Sequence, residues 1–225
     1  MSVAVLSDNR VLYGRARAHF VNTTNDYLRW GRGSFAAGRI WGEASETLRD
    51  IFHTEFALAG LLAVAEMAWQ QNEDLYSTNN YALAASMELH ARIINAALSG
   101  NNQTMLPPGF RWQSAMPAAP AGTSWRFDMR TQLWSAHNNT NGVKVLDLRD
   151  GFKYIVGPWA LPSNWEMGFN HFVGRLGMWM PETAALIARR WPDFYEFHWG
   201  LTTLTHADSA NMLWRSGVRA ASMCA

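Results

Sequence analysis

Residues 46–71 read ETLRDIFHTEFALAGLLAVAEMAWQQ. The stretch opens with Glu46, Arg49, Asp50 and His53, three and four apart, so a helix would carry them on one face. From residue 56 to 65 it is apolar on every side, which requires burial against more than one neighbour. Ser45 and Leu48 open a long helix that continues through Phe52, Phe56 and Leu62 to Trp69. A polar stripe running into a buried helix needs partners or a ligand, because unpaired buried charge is costly. It reads either as part of a binding site or as a salt-bridge ladder on a solvated face. A chain organised around such a helix is all-α.

Helical signals continue on both sides. Asp8 and Asn9 are suitable N-caps for a segment whose Leu12, Ala16, Phe20 and Leu28 recur at helical spacing, predicting a helix over 9–30. Asn79 and Asn80 precede a third helix, 81–98, with Leu83, Met87, His90 and Ile94 aligned. Further along, Asn164 caps a helix with Trp165, Phe169, Phe172 and Leu176 on one face, and Pro181 opens another reaching residue 190. A last helix starts near His206 or Asp208 and passes Trp214. Between these halves the character changes: Pro107, Pro108, Gly109, Pro117 and Pro120 punctuate a long loop, about 99–125, that has few charges and no period. Loops of this length are often binding loops or lids, or plain linkers. Segments 125–134 and 143–148 suit short helix or strand equally. The expected organisation is helical hairpins in one domain, 1–225.

Composition narrows the function classes. The chain has 225 residues, 48% of them hydrophobic, which is ample for a sizeable core. Charged residues are 16% and the net charge is +1, so there is no polybasic surface for nucleic acid. No stretch of about 18 apolar residues occurs, and residues 1–9 lack the basic region and apolar run of a secretory signal. The single Cys224 excludes an intramolecular disulfide and a cysteine-based zinc site. The histidines do not form a zinc-protease pair, and neither a nucleophile elbow nor a phosphate-cradling glycine loop is present. No metal or cofactor is expected.

Two residue types are unusual. There are 12 Trp, and of 19 basic residues only Lys144 and Lys153 are lysine, leaving 17 Arg. Trp offers flat apolar faces and Arg a planar fork for carboxylates; a polyanionic sugar would use both, although helix packing and codon usage also explain them. Trp69, Trp165, Trp179 and Trp214 fall in predicted helices and read as core, leaving Trp199, Trp134 and Trp159 as candidate sugar platforms.

Three further clusters carry chemistry. Trp165 to Arg175 (WEMGFNHFVGR) brings Asn170, His171 and Arg175 close together, a trio able to neutralise a carboxylate and position a proton-transfer group. Phe197 to Asp208 (FHWGLTTLTHAD) supplies His198, Trp199 and His206. The turn-rich run His137 to Gly142 contributes Asn138. Hydrolysis through paired carboxylates drawn from Asp50, Glu55, Glu166 and Asp208 is a competing chemistry.

With these passages in order, the chain resembles the alginate lyase superfamily, the helical-toroid polysaccharide lyases. Three blocks carry the match: residues 46–71 with Asp74-Leu75-Tyr76, WEMGFNHFVGRLGMWMP at 165–181, and FHWGLTTLTHAD at 197–208. The similarity spans roughly residues 8–214. It implies an incomplete α/α toroid, lacking the N-terminal helices that family members carry, with a cleft for an acidic polysaccharide, alginate or glucuronan. Such a chain would be a fragment, a minimal homologue, or one whose missing wall comes from another protomer in a homo-oligomer. It also implies β-elimination, in which Asn170, His171, Arg175, Arg49 and His53 act at the uronate. Trp199, His198, His206 and Asn138 join Arg49 in binding substrate. Where the family pattern is aromatic-Asn-His-aromatic with Tyr frequent, this chain has Phe169 and Phe172, so Tyr154, Tyr195 or Tyr76 would supply the proton-transferring hydroxyl. The resemblance further implies an extracellular or periplasmic setting, although this chain shows no signal peptide; composition leaves neither nucleic-acid nor membrane partners expected. The alternatives are a non-catalytic polyuronate-binding module from a truncated lyase, and a helical-toroid glycoside hydrolase.

Overall fold

The computed structural model describes residues 1–29, 42–48, 50–112, 118–119, 121–128, 133–136, 144–146 and 164–190. Over these residues the protein is mostly helical. A short α1 (Ser2–Leu6) leads into α2 (Arg10–Tyr27), α3 (Ile51–Trp69) and α4 (Thr78–Leu98), followed later by α5 (Trp165–Phe169) and α6 (Pro181–Arg190). The predicted last helix lies outside the described residues.

Local chemistry accounts for the boundaries. Asn9 caps α2, its side chain accepting the Leu12 N–H at 2.9 Å. Residues 45–48 form a turn rather than the first turn of α3, because Asp50 is extended and caps the helix, accepting the His53 N–H at 3.3 Å. Glu46 therefore does not share a helical face with His53. Asn79, Asn80 and Tyr81 all have positive φ, so α4 becomes regular only after them. Asparagine tolerates this left-handed region, which is why the Asn pair marks the junction.

The core is formed where α4 runs between α3 and α6. By length and apolar composition α3 would also cross a bilayer, but here it packs against α2, α4 and α5. Two glycines permit close approach. A Cβ on Gly42 would meet the Ser86 backbone nitrogen at 2.2 Å, and one on Gly168 would meet Leu62 Cδ2 at 2.8 Å and Met87 Sδ at 3.0 Å. Helix α6 packs along α4 and is tied to it at its first turn: the Glu88 carboxylate accepts the N–H groups of Glu182 (2.7 Å) and Thr183 (3.0 Å) and the Thr183 hydroxyl. These are helix-start donors that lack an intrahelical acceptor.

The middle of the chain departs from an all-α fold. Among the described residues four short strands form two pairs: β1 (Phe110–Trp112) lies parallel to β4 (Lys144–Leu146), and β2 (Trp125–Asp128) lies antiparallel to β3 (Leu133–Ala136). Gln103 anchors β1, donating to Phe110 O and accepting from Trp112 N. The Trp134 indole is buried and donates to Leu48 O at 3.2 Å, tying β3 to the start of α3. It is therefore a packing residue rather than a sugar platform.

The helix opened by Trp165 changes pitch. Residues Asn170–Arg175 are π-helical, with the Leu176 N–H bonding His171 O at 3.2 Å, five residues back. Trp165, Phe169 and Phe172 are buried as the 3.6-residue period predicts, whereas Leu176 is exposed. The wider π turn rotates it off the stripe. Single π turns inside α-helices concentrate at functional sites.

Candidate functional site

The last turn of α3 puts Glu66, Trp69 and Gln70 on one face, three and four residues apart. The chain then reverses at Asn72, whose φ is +62°, and brings Leu75 and Tyr76 back into the core. From the other side, Asn164 donates to Ala59 O at 2.8 Å and pins the start of α5 to the middle of α3. The π segment is thereby laid across Glu66, Trp69 and Tyr76.

Here His171 and Arg175 meet partners from distant sequence. The His171 ring stacks on Tyr76 with centroids 3.7 Å apart and planes 16° from parallel, and Trp69 approaches it edge-on at 4.6 Å. Arg175 clamps Glu66 with both terminal nitrogens, Nη1 to Oε2 at 3.0 Å and Nη2 to Oε1 at 3.2 Å. Its guanidinium carbon lies 5.6 Å from the Trp69 ring centroid, within cation–π range. Gln70 and the Tyr76 hydroxyl also donate to Glu66, at 2.7 and 2.8 Å.

Proton positions follow from donor counting. Arg175 Nη1 is also 3.1 Å from His171 Nδ1. A guanidinium can only donate, so Nδ1 accepts and the neutral imidazole carries its proton on Nε2. That Nε2 is buried and has no hydrogen-bond partner. Burial, and then the neighbouring Arg175 charge, pushes the imidazole down to about 4, so it stays neutral at ordinary pH. His171 is thus an N–H donor without an acceptor, and taking a proton at Nδ1 would break its bond to Arg175.

Arg175 has capacity left as well. Three of its five N–H donors are engaged. Nε–H and the second Nη2–H remain, side by side on one edge, in the spacing that receives a carboxylate bidentately. Its side chain is 38% exposed, whereas His171 and Tyr76 are buried. For Glu66, burial alone would raise the carboxyl, but the bonds from Arg175, Gln70 and Tyr76 together outweigh it and hold the group below its usual range. Burial, then the Glu66 charge and hydrogen bond, lifts the Tyr76 phenol well above its usual value.

Of the sequence-predicted site residues, the structure brings together His171 and Arg175, with half-buried Asn170 adjacent on the same π segment. His53 is elsewhere. It lies 13 residues before Glu66 on α3, roughly 20 Å away at about 1.5 Å per residue, and is exposed with Nδ1 2.6 Å from its capping partner Asp50. Arg49, Asn138, Tyr154, Tyr195, His198, Trp199 and His206 lie outside the described residues, as do Trp159 and Trp214. Trp179, expected in a helix and in the core, lies on the irregular segment ahead of α6 and is 82% exposed. Among the carboxylates considered for hydrolysis, Glu55 and Glu166 are buried, Asp50 caps α3, and Asp208 lies outside the described residues. Both Glu55 oxygens lack a hydrogen-bond partner, and burial raises the carboxyl well above its usual value, opposed by the Trp165 indole beside it.

Glu66, Trp69 and Gln70 were missed as site residues in the sequence reading. A glutamate in the last turn of an otherwise apolar helix was the available signal, since it demands a buried partner. Comparison of the chain with family models, with curated proteins and with solved structures gives no match.

Proposed function

We propose that the protein is a polysaccharide lyase of the alginate-lyase type, an incomplete α/α toroid that cleaves a polyuronate, alginate or glucuronan, by β-elimination. The observation that carries the proposal is the unused carboxylate-binding edge of Arg175, held in place by Glu66 and Trp69, beside an imidazole held neutral with an unpartnered Nε2–H.

In the elimination a base removes the proton on C5 of a uronate, the electron pair forms the C4–C5 double bond, and O4 departs with a proton from an acid. The C5 proton becomes acidic only when the adjacent carboxylate is neutralised. The free edge of Arg175 receives that carboxylate and the Asn170 amide adds a donor where charge grows on the enolate-like transition state, while the enclosed His171 ring braces Arg175 through Nδ1. His171 is thereby a positioning residue and not the base. Tyr76 is a positioning residue, since its buried hydroxyl is directed at Glu66. Proton transfer falls to Tyr154 or Tyr195, and Trp199, His198, His206, Asn138 and Arg49 extend the subsites. The elimination so written requires no metal or cofactor. A polymeric uronan is met outside the cytoplasm, in the periplasm or beyond the cell.

Incubation with alginate, polymannuronate and glucuronan, following the ultraviolet absorbance of the unsaturated uronate, tests this directly. Product with any of them, lost in Arg175→Ala, is the expected result; a folded sample that yields none sinks the lyase. Non-catalytic binding is the second reading, favoured by the absence of an accessible phenol in the described cluster. Retardation in an alginate gel without unsaturated product would select it.

A further inference from the structure

We infer that Trp179 is a sugar-stacking platform at the rim of the Arg175 site, taking the flat face of a pyranose ring in the same polyuronate chain. This rests on the polyuronate reading above and adds to it a subsite.

The indole is 82% exposed, whereas Trp112, Trp134 and Trp165 are buried to 7% exposure or less. Isolated apolar residues on a surface need no explanation by themselves; here the backbone provides one. Met178 N–H bonds Phe172 O at 2.9 Å and Gly177 N–H bonds Val173 O at 3.0 Å, so the segment carrying Trp179 is fastened to the helix carrying His171 and Arg175. On either side of Trp179, Met180 is buried and Met178 packs against the core. Pro181 then starts α6. The neighbours thus fix the backbone, while the indole between them is held out in solvent. A backbone fastened this way need not reorder when a ligand covers the ring.

Position identifies the occupant. Trp179 is four residues from Arg175, so their Cα atoms are at most roughly 14 Å apart even if the chain were extended. The turn at Gly177, with φ +68°, brings them nearer. One oligosaccharide therefore spans the carboxylate-binding edge and the indole. The two groups recognise different parts of it: the guanidinium takes the carboxylate, and the indole takes the apolar C–H face of a ring. A uronan offers both in every residue, which a neutral glycan or a peptide does not.

The test compares wild type, Trp179→Ala and Trp179→Phe in alginate affinity gels and in titrations with polymannuronate oligosaccharides, alongside steady-state cleavage and size-exclusion chromatography. Trp179→Ala should weaken binding roughly tenfold, the equivalent of one aromatic contact. It should raise KM with kcat little changed and leave the thermal midpoint unaltered, because the ring is not packed. Trp179→Phe should recover most of the affinity. Wild-type affinity retained in Trp179→Ala overturns the platform and leaves the lyase standing, as does a change confined to oligomeric state. If wild type neither binds nor cleaves any polyuronate, the lyase reading falls and the platform with it.

Discussion

Two histidines, His90 in α4 and His171 in the π segment, are both almost fully buried, and burial brings both imidazoles down to about 4. Their hydrogen bonds set them apart. His90 donates from Nδ1 to Ser86 O at 2.6 Å and accepts at Nε2 from the Thr47 hydroxyl at 3.0 Å, whose oxygen in turn accepts the Ala44 N–H at 2.7 Å. Every polar atom in that circuit is matched, and it fastens residues 44–47 to α4. His171 has the opposite tautomer: Nδ1 accepts from Arg175, and Nε2–H meets no acceptor. Burial and a lowered pKa therefore do not distinguish a packing histidine from a working one. The unclosed circuit does, because native interiors leave few buried polar groups unmatched.

The largest expected effect removes the group that orients the His171 cluster. Glu66→Ala leaves the buried Tyr76 hydroxyl unmatched and removes the partner of the part-exposed Arg175, and should cost roughly 2–3 kcal/mol in urea unfolding. A loss below about 1 kcal/mol would mean that Arg175 is not held by Glu66. Next comes the contrast itself. His90→Gln should destabilise by about 2 kcal/mol, with two matched bonds disturbed, and leave turnover of the remaining folded enzyme unchanged. His171→Gln should cost only about 1 kcal/mol but reduce turnover about 100-fold, because it loosens the Arg175 that receives the carboxylate and misplaced binding groups cost that much. Equal behaviour of the two variants in both assays would break the distinction.

Acid sensitivity is a smaller effect. Because both imidazoles titrate lower folded than unfolded, the unfolded chain takes up protons first as pH falls below about 6.5. Stability should therefore decline between about 6.5 and 4. Thermal midpoints should show a shallower decline in His90→Gln. Glu55 acts in the opposite direction. Its carboxyl titrates higher in the folded protein, so its contribution is intact below the ordinary value of 4.5 and is lost as pH rises. Glu55→Gln should consequently match wild type at pH 4 and exceed it at pH 8; identical midpoints at both would show that Glu55 is solvated.

Much of the helical frame was legible because its signals are local. Asn9 caps the helix it precedes, the Asn79-Asn80 pair takes the left-handed conformation before α4, and Pro181 opens α6. What stayed hidden depends on partners or on a broken period. The π turn preserves the apolar spacing through Phe172 and then displaces Leu176 outward, and the helix ends before Trp179, which a 3.6-residue count cannot anticipate. The strands of the middle segment are three or four residues long, too short for alternation to register. The site was half visible. Asn170, His171 and Arg175 were singled out from one motif, yet the Arg175 pairing with Glu66 joins residues 109 apart and leaves no spacing to read. His53 looked equivalent to them on paper, but the length of α3 separates it from the cluster.

The most direct check is nitrogen NMR of the two imidazole rings, with and without polymannuronate oligosaccharide. At pH 7 His171 should be neutral and protonated on Nε2, His90 neutral and protonated on Nδ1, and added oligosaccharide should shift His171 Nε2 while leaving His90 unmoved. A charged His171, a proton on its Nδ1, or rings that do not respond to the ligand would contradict the assignment of His171 and Arg175 as the uronate-binding pair.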